Sequence, residues 1–369
     1  MTSVPDVLRA SRTGGGDATA GIIANRILSP VTVTFAILTV IVGGLELAGW
    51  RVPAALQVVP FAVSILVFGL PHGALDHLVP ARVAGVDRVR GIAAVCGLYL
   101  VLGAVTAGLW ATAPIVAFAT FIALTWFHWG QGDLWIDRML GDGRGGRAAA
   151  ILTVAARGSI PMLIPLAARP ADYRAVLDQT VRAVAPGVTP HASLLSDVLV
   201  RALAVALVVV LIAIDAVINA RAGLPLWRRL TETAVLVAFF AAVPPVLAVG
   251  LYFTLWHSVR HILRLELLTV RGRADIAAGR LGRPLLRFFR DAWPVTAIAV
   301  AMLIALGTLL RRADLGVYLV LIAALTTPHA VVVSWMDRRQ RVWRRVSSPA
   351  GAVGHPLTAA GSRCVRSDR

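Results

Sequence analysis

The sequence predicts an all-α protein, a polytopic bundle of about ten transmembrane helices. Three observations predict this class. Hydrophobic residues make up 58% of the 369 residues and charged residues only 15%, and the mean hydropathy is +0.77, whereas a soluble domain carries roughly a quarter charged residues. The apolar residues fall in runs of about 18 or more, which is the length that a membrane-crossing helix needs. All 36 basic residues are arginine, and they cluster between the runs.

The apolar runs give the predicted spans in order. They lie near 31–49, 53–73, 91–110, 112–130, 148–168, 202–220, 231–244, 246–266, 293–310 and 315–336. The first run is too long for the apolar core of a cleaved signal, so we expect it to remain as a helix. Pro244 and Pro245 interrupt the stretch 231–266, which predicts either one kinked helix or two spans joined by a tight turn.

Arginine placement predicts the orientation of these spans. With ten spans and a cytoplasmic N-terminus, the arginine-rich stretch 271–290 faces the cytoplasm. A nine-span arrangement would place it outside, against the positive-inside rule. We therefore predict a multi-pass protein of the cell membrane with both termini cytoplasmic. It would comprise a polar N-terminal segment (1–30), a transmembrane domain holding the functional site (31–336) and a basic, disordered tail (337–369).

Composition also excludes some classes of protein. A net charge of +17 is typical of nucleic-acid binding in a soluble domain, but here the arginines lie in predicted loops, so no nucleic-acid partner is expected. The chain has no lysine, and a microbial rhodopsin needs one to hold retinal as a Schiff base. No H-E-x-x-H motif occurs, which argues against a zinc protease.

Six histidines lie near the same predicted end of four spans. They are His72 and His77 in FGLPHGALDH, His128 in TWFHWGQGD, His257 and His261 in YFTLWHSVRH, and His329 in TTPHA. All four spans run from outside to inside, so we expect the imidazoles at one depth near the cytoplasmic side. His257 and His261 are spaced i, i+4, which places both rings on one helix face. Neutral imidazoles suit Fe, Zn, Cu or Ni, so the pattern predicts a metal site within the bundle.

Other side chains near these histidines have two interpretations each. His77 is either a ligand or an interfacial residue that reaches the headgroups. Asp76 follows His72 by four residues and Asp133 follows His128 by five; each is either a hydrogen-bond partner of an imidazole or a solvated helix-end residue. The aromatic residues form either an interfacial belt or a slot for a long, flat apolar substrate: Trp126, Trp129, Tyr252, Phe253 and Trp256.

The motifs resemble those of the bacterial and archaeal β-carotene 15,15′-dioxygenases, also called the bacteriorhodopsin-related protein family. The matching pieces are GLPHGALDH, FHWGQGD, YFTLWHSVRH and TPHAVVV, and they cover most of the chain from about 31 to 336. The resemblance implies a non-haem iron dioxygenase that cleaves β-carotene or a related carotenoid at its central double bond with O2. The products would be two molecules of retinal, for which a retinal-binding rhodopsin would be a partner.

The resemblance also implies which residues hold the cofactor, Fe²⁺. The family's proposed ligands map to His72, His128, His257 and His261. In the first motif this selects His72 over His77. His329 is then expected beside the iron or the substrate.

Two further hypotheses remain open on the sequence. A membrane di-iron desaturase or hydroxylase of a lipid or carotenoid would use six or more histidines, and this chain has six in the predicted layer. A non-catalytic transporter or carotenoid-binding protein would bind no metal and would tolerate His257→Ala. Counting the bound metal ions separates these hypotheses.

Overall fold

The all-α prediction is confirmed by the computed structural model, which describes residues 16–141, 145–188, 190, 197–309 and 315–344. The helices in chain order are α1 (Ala18–Leu47), α2 (Ala54–Ala84), α3 (Arg88–Thr112), α4 (Pro114–Leu140), α5 (Arg147–Ala168), α6 (Pro170–Val184), α7 (Val198–Arg221), α8 (Trp227–Ala242), α9 (Pro245–Leu267), α10 (Val270–Ala277), α11 (Gly282–Leu309) and α12 (Leu315–Arg339).

Eight helices within the described ranges are long and apolar enough to cross a membrane. They are α1, α2, α3, α5, α7, α9, α11 and α12. The helices α4 and α8 are the other two runs of the ten-span prediction. The second half of α4 is polar, with His128, Gln131 and Asp133, and α8 has only 16 residues. The count of ten spans therefore stays a prediction.

Prolines and glycines mark the ends of several helices. Proline stands at the first position of α4, α6 and α9, where its missing N–H breaks no helical hydrogen bond. After α2 and α4 the chain turns at Gly85 and Gly141, which have φ of 65° and 82°, a left-handed conformation that glycine adopts without strain. The Pro244-Pro245 pair separates α8 from α9, so the stretch 231–266 forms two helices rather than one kinked helix.

The described part of the first helix starts earlier than hydropathy predicts. Helical residues begin at Gly16 and run without a break to Leu47, whereas the apolar run begins near Val31. Hydropathy marks where a helix is apolar, and a polar first turn such as the one around Asp17 can still be helical. The tail beyond 344 lies outside the described residues, and the three-part domain division stays a prediction.

Glycine lets pairs of helices approach each other closely. A Cβ at Gly130 would lie 2.2 Å from the Val154 carbonyl oxygen, and one at Gly158 would lie 1.9 Å from that of Trp126, so α4 and α5 touch backbone to backbone. A Cβ at Gly250 would lie 2.7 Å from Cα of Phe61, which brings α9 against α2. Small residues at such contacts are typical of helices that pack in a bilayer.

Charged side chains inside the bundle are paired across helices. Arg157 of α5 contacts Glu232 of α8 at 3.4 Å, and Arg228 contacts the same carboxylate at 2.7 Å. Arg229 pairs with Asp137 of α4 and, at 2.6 Å, with Asp215 of α7. Because a buried charge is costly unless it has a partner, these ion pairs join α4, which carries His128, to α5, α7 and α8.

Candidate metal centre

His72 lies in α2, directly after a turn of π-helix. The π-helical turn spans Ile65–Gly69, and Pro71 follows it. The His72 side chain is buried, and its Nδ1 lies 3.2 Å from the carbonyl oxygen of Phe68. A carbonyl oxygen only accepts hydrogen bonds, so Nδ1 carries the proton. This leaves the lone pair of His72 on Nε2, which is the nitrogen that a metal ion would use.

His257 and His261 lie in α9, whose middle is also π-helical over Tyr252–Ser258. Both side chains are buried, at 3% and 6% exposure. The ring of Phe253 stacks on that of His257 with centroids 6.0 Å apart. Such π-helical turns are frequent at functional sites, and here one lies within each of the two helices that carry these three histidines.

His128 of α4 and His329 of α12 complete a cluster of five buried imidazoles. The His72 ring centroid lies 4.7 Å from that of His329, 5.5 Å from that of His257 and 5.4 Å from that of His261. The His128 ring lies 4.7 Å from that of His257 and 4.8 Å from that of His329. The structure thus brings together five of the six histidines that the sequence places in one layer, from four helices.

The donor atoms of this cluster fit a metal ion. His128, His257, His261 and His329 each have a buried Nε2 with no hydrogen-bond partner among the described residues. Ligand atoms of His72, His128 and His329 all lie within 4.8 Å of one another. Two imidazole nitrogens on opposite sides of one ion are about 4 Å apart, so this spacing suits a shared ion. Leaving so many buried nitrogens unpaired would otherwise be costly.

Three of the predicted site residues lie apart from the cluster. His77 is half-buried and its Nδ1 lies 2.8 Å from the Ala74 carbonyl oxygen. Asp133 contacts Arg260 at 3.0 Å and accepts a 3.1 Å hydrogen bond from the Trp256 indole, so its partners are not histidines. Trp126 donates to the carbonyl oxygen of Ala155. His191 and His355, to which the sequence assigns no role, lie outside the described residues.

Asp76 does join the cluster, through a different histidine from the one its spacing suggests. Its Oδ2 lies 2.8 Å from Nδ1 of His329, 253 residues away, and accepts a 2.7 Å hydrogen bond from the Tyr99 hydroxyl. Sequence reasoning missed Tyr99, although a tyrosine in the middle of the third apolar run is the signal that would have drawn attention to it.

A polar layer follows the histidines along the chain direction of these helices. Arg264 contacts Asp337 at 2.7 Å and donates to the side-chain oxygen of Gln340. Gln131 donates to Asp337 at 2.9 Å. Along the chain, these residues follow His261, His329 and His128 by about one turn of helix or more. We call this set of residues the polar layer. It closes one side of the cluster. The sequence analysis did not single out any of these four.

An apolar cavity lies on the opposite side, where the same helices carry residues that precede or adjoin the histidines. It is lined by residues of α2, α4, α5, α6, α9 and α12, among them Phe61, Phe118, Val249 and Leu319. Among the described residues no charged side chain lines this cavity, and burial raises the pKa of the Tyr173 hydroxyl in its wall further above neutral pH. The cavity accordingly suits a hydrocarbon.

Two aromatic side chains connect this cavity with the histidine cluster. Phe253 lines the cavity and its ring lies 5.2 Å from that of His72, edge to face. Trp129 also lines the cavity, and its ring lies 5.9 Å from that of His257. Tyr252 and Trp256 stack behind them, 6.2 Å apart. The predicted aromatic set therefore divides into a cavity wall, a packed backing and the separate Trp126.

A family model and curated relatives match most of the chain. The family model described as beta-carotene 15,15'-dioxygenase matches residues 63–337. The chain is 42% identical over 302 residues to "Probable beta-carotene 15,15'-dioxygenase Blh" of Halobacterium salinarum, covering 77% of this chain and 85% of that relative. It is 27% identical over 326 residues to "Probable beta-carotene 15,15'-dioxygenase Brp" of the same species, covering 80% and 88%.

No solved structure matches the chain significantly. The matched region begins before His72 and ends after His329, so it contains all five clustered histidines and most of each helix that carries them. With the motifs, the clustered imidazoles and these matches together, the chain belongs to the β-carotene 15,15′-dioxygenase family and is an enzyme of that type.

Proposed function

We propose that this chain is an iron-dependent dioxygenase that cleaves β-carotene or a related carotenoid at its central double bond. One O2 is consumed, the carbon–carbon double bond breaks, and each of its two carbons receives one oxygen atom, giving two molecules of retinal. The observation that carries the proposal is a cluster of buried imidazoles with unpaired nitrogens at the end of a charge-free apolar cavity. Both relatives are named as probable β-carotene 15,15′-dioxygenases, which supports the substrate.

His72, His128, His257 and His261 are the residues that we propose hold Fe²⁺. They are buried on three helices, and the proton on Nδ1 of His72 directs its Nε2 lone pair away from Phe68. Imidazole nitrogens suit ferrous iron. Ferrous iron bound there would supply the electrons that make ground-state O2 reactive toward a double bond.

The cavity residues would hold the hydrocarbon in place. A carotenoid is apolar along its whole polyene, so binding in a bilayer-embedded, charge-free cavity needs no desolvation of ions. Phe253 and Trp129 lie at the boundary between cavity and histidines. We propose that these two flat side chains align the polyene so that its central bond lies beside the histidine cluster. Correct positioning of the reacting groups lowers the activation barrier of a reaction substantially.

The polar layer would keep water away from the reacting bond. Arg264 and Asp337 are almost fully buried and hydrogen-bonded to Gln340 and Gln131. We propose that these hydrogen bonds and the Arg264–Asp337 ion pair close the side opposite the cavity. Exclusion of water protects reactive species from side reactions, and no proton donor or acceptor from the chain is required by the overall reaction.

Expression in β-carotene-producing cells tests the proposal. We expect the orange colour to fade as retinal appears, with retinal identified by chromatography and mass spectrometry. Intact β-carotene in cells that contain folded, iron-loaded protein would contradict it.

His72 and His77 provide a matched pair of substitutions within one motif. We expect His72→Ala to reduce retinal formation by at least about a hundredfold, because a ligand is lost. We expect His77→Ala to keep activity within a few-fold, because the His77 ring lies outside the cluster, with its Nδ1 against the Ala74 carbonyl oxygen. Retinal yield per folded protein measures both, and activity in His72→Ala together with inactivity in His77→Ala would reverse the assignment.

A di-iron desaturase or hydroxylase is the second candidate, and one observation bears on it. Besides the first set of histidines, ligand atoms of Asp76, His261 and His329 lie within 4.8 Å of one another, which offers a carboxylate donor. Against it, His77 lies apart, so the cluster holds five histidines rather than six. Iron analysis of the purified protein separates the two, with about one ion per chain expected for the dioxygenase.

A further inference from the structure

Asp76 differs from every other buried carboxylate in the described part of the chain. The others each have an arginine within ion-pair distance: Asp133, Asp137, Asp215, Glu232, Glu266, Asp275 and Asp337. Asp76 is 1% exposed, and within the described ranges the hydrogen-bond partners of its carboxylate are the Tyr99 hydroxyl and Nδ1 of His329. Burying a carboxylate without a cation costs free energy, so we expect a positively charged partner near Asp76.

His329 lies between Asp76 and the place where a positively charged partner would bind. Its Nδ1 lies 2.8 Å from Asp76, and its Nε2 is buried with no hydrogen-bond partner among the described residues. The ring lies 4.7 Å from that of His72, 4.8 Å from that of His128 and 5.0 Å from that of His261. The unpaired Nε2 of His329 therefore belongs to the same cluster as the other four imidazoles.

The helices hold this pair in place from two sides. A Cβ at Gly73 would lie 3.5 Å from Nδ1 of His329, so α2 and α12 are in direct contact there. On α3, Tyr99 donates to Asp76, and Thr106 donates a 3.1 Å hydrogen bond to Thr327, two residues before His329. Contacts among α2, α3 and α12 therefore fix the orientation of the His329 imidazole.

We infer that His329 is a fifth imidazole ligand of the iron and that Asp76 is the positioning residue that orients it, with Tyr99 holding Asp76. The inference rests on the iron site of the proposed function. Ligating histidines commonly donate their second N–H to a carboxylate, which selects the tautomer and strengthens the ligand. The ion would also supply the positive charge that Asp76 lacks. Without an ion at this position, both the Asp76 carboxylate and the His329 Nε2 would be buried and incompletely paired.

The test uses full-length protein in detergent, stripped of metal and titrated with Co²⁺, whose visible absorption reports on its ligands. We expect Asp76→Asn to weaken Co²⁺ binding by roughly 10- to 100-fold and to shift the absorption bands. Tyr99→Phe should give a smaller loss in the same direction. Asp215→Asn is the matched control: it neutralises a buried carboxylate that pairs with Arg229 instead of a histidine, so the bands should not shift.

Substitution of His329 itself distinguishes a ligand from a packing residue. We expect His329→Ala to lose most Co²⁺ affinity and to regain the wild-type bands when free imidazole is added, since a structural defect would not respond to imidazole. Wild-type affinity and bands in both His329→Ala and Asp76→Asn, alongside loss of binding in His72→Ala, would overturn the inference and leave the proposed function standing. A wild-type protein that binds no metal would instead contradict the proposed function.

X-ray absorption of the iron-loaded wild-type protein removes any dependence on how the variants fold. Scattering from the imidazole rings counts the histidine ligands. Five rings support the inference, and four overturn it.

Discussion

Arg264 and Asp337 are single residues on which the closed side of the histidine cluster depends. Their contact at 2.7 Å joins α9 to α12, and Gln131 reaches the same carboxylate from α4. Neither charge has enough exposure to be solvated, since the side chains are 2% and 0% exposed. Each charge is therefore tolerated only because the other is present.

We expect Arg264→Met to lower the free energy of unfolding by about 3–5 kcal/mol, because the Asp337 carboxylate would remain buried without a cation. The double variant Arg264→Met with Asp337→Leu should recover a large part of this loss, because no charge is then stranded. Unfolding in mixed detergent, followed by tryptophan fluorescence, measures both. Equal losses in the single and the double variant would show that the pair is not the source of the effect.

Candidate ligands can be predicted from the sequence where their chemistry depends on the residue type and on its neighbours along the same helix. A histidine in an apolar run, or two histidines at i, i+4, can be recognised as candidate ligands in the sequence. The partner of Asp76 could not be recognised, because spacing suggests His72 on the same helix while the structure provides His329 from α12. Asp133 pairs with Arg260, an intramembrane charge that the sequence does offer as a partner for Asp76 or Asp133.

At the scale of elements, the backbones of α4 and α5 approach each other so closely that no side chain fits between them at Gly130 and Gly158. A Cβ at Gly130 or at Gly158 would overlap a carbonyl oxygen of the facing helix. Helix α4 carries His128, so its distance from α5 also sets where this imidazole lies. Apolar periodicity in either helix predicts a buried face but gives no information on how closely the two backbones approach.

We expect Gly158→Ala to destabilise the protein by about 1–3 kcal/mol, since its new methyl group would force α4 and α5 apart. Gly97→Ala is the matched control in α3, where a Cβ meets nothing within 4 Å. It should be neutral or stabilise by up to about 1 kcal/mol, because alanine favours a helix over glycine. Thermal unfolding of the two variants in the same detergent compares them, and equal midpoints would contradict the close contact.

At the scale of the whole molecule, a bound ion would tie four helices together. The clustered histidines come from α2, α4, α9 and α12, which are distant in sequence. An ion that binds only the folded state stabilises it by mass action, by about 2.7 kcal/mol when its free concentration is a hundred times Kd. We expect removal of metal by a chelator to lower the midpoint of thermal unfolding, and added Fe²⁺ under anaerobic conditions to restore it. An unchanged midpoint would contradict a metal shared by these helices.

The orientation in the membrane is a second property of the whole molecule. With an even number of spans we expect both termini in the cytoplasm, together with the arginine-rich stretch 271–290. A green fluorescent protein fused to the C-terminus should fluoresce, and a periplasmic alkaline phosphatase at the same place should be inactive. The reverse pattern would require an odd number of spans.

The helical class, the approximate place of ten of the twelve described helices and the four motifs that carry the imidazoles followed from the sequence, whereas α6 and α10 lie between the apolar runs and were not predicted. These depend on local properties: the length of apolar runs, proline and glycine at helix ends, and residue spacing along one helix. Only the tertiary structure decided which of six histidines cluster, that His77 lies apart, and that Asp76 contacts His329. Those outcomes depend on how far each helix is rotated and how closely it approaches its neighbour. Contacts such as Gly250 against Phe61, between segments nearly two hundred residues apart in the chain, set that rotation and distance.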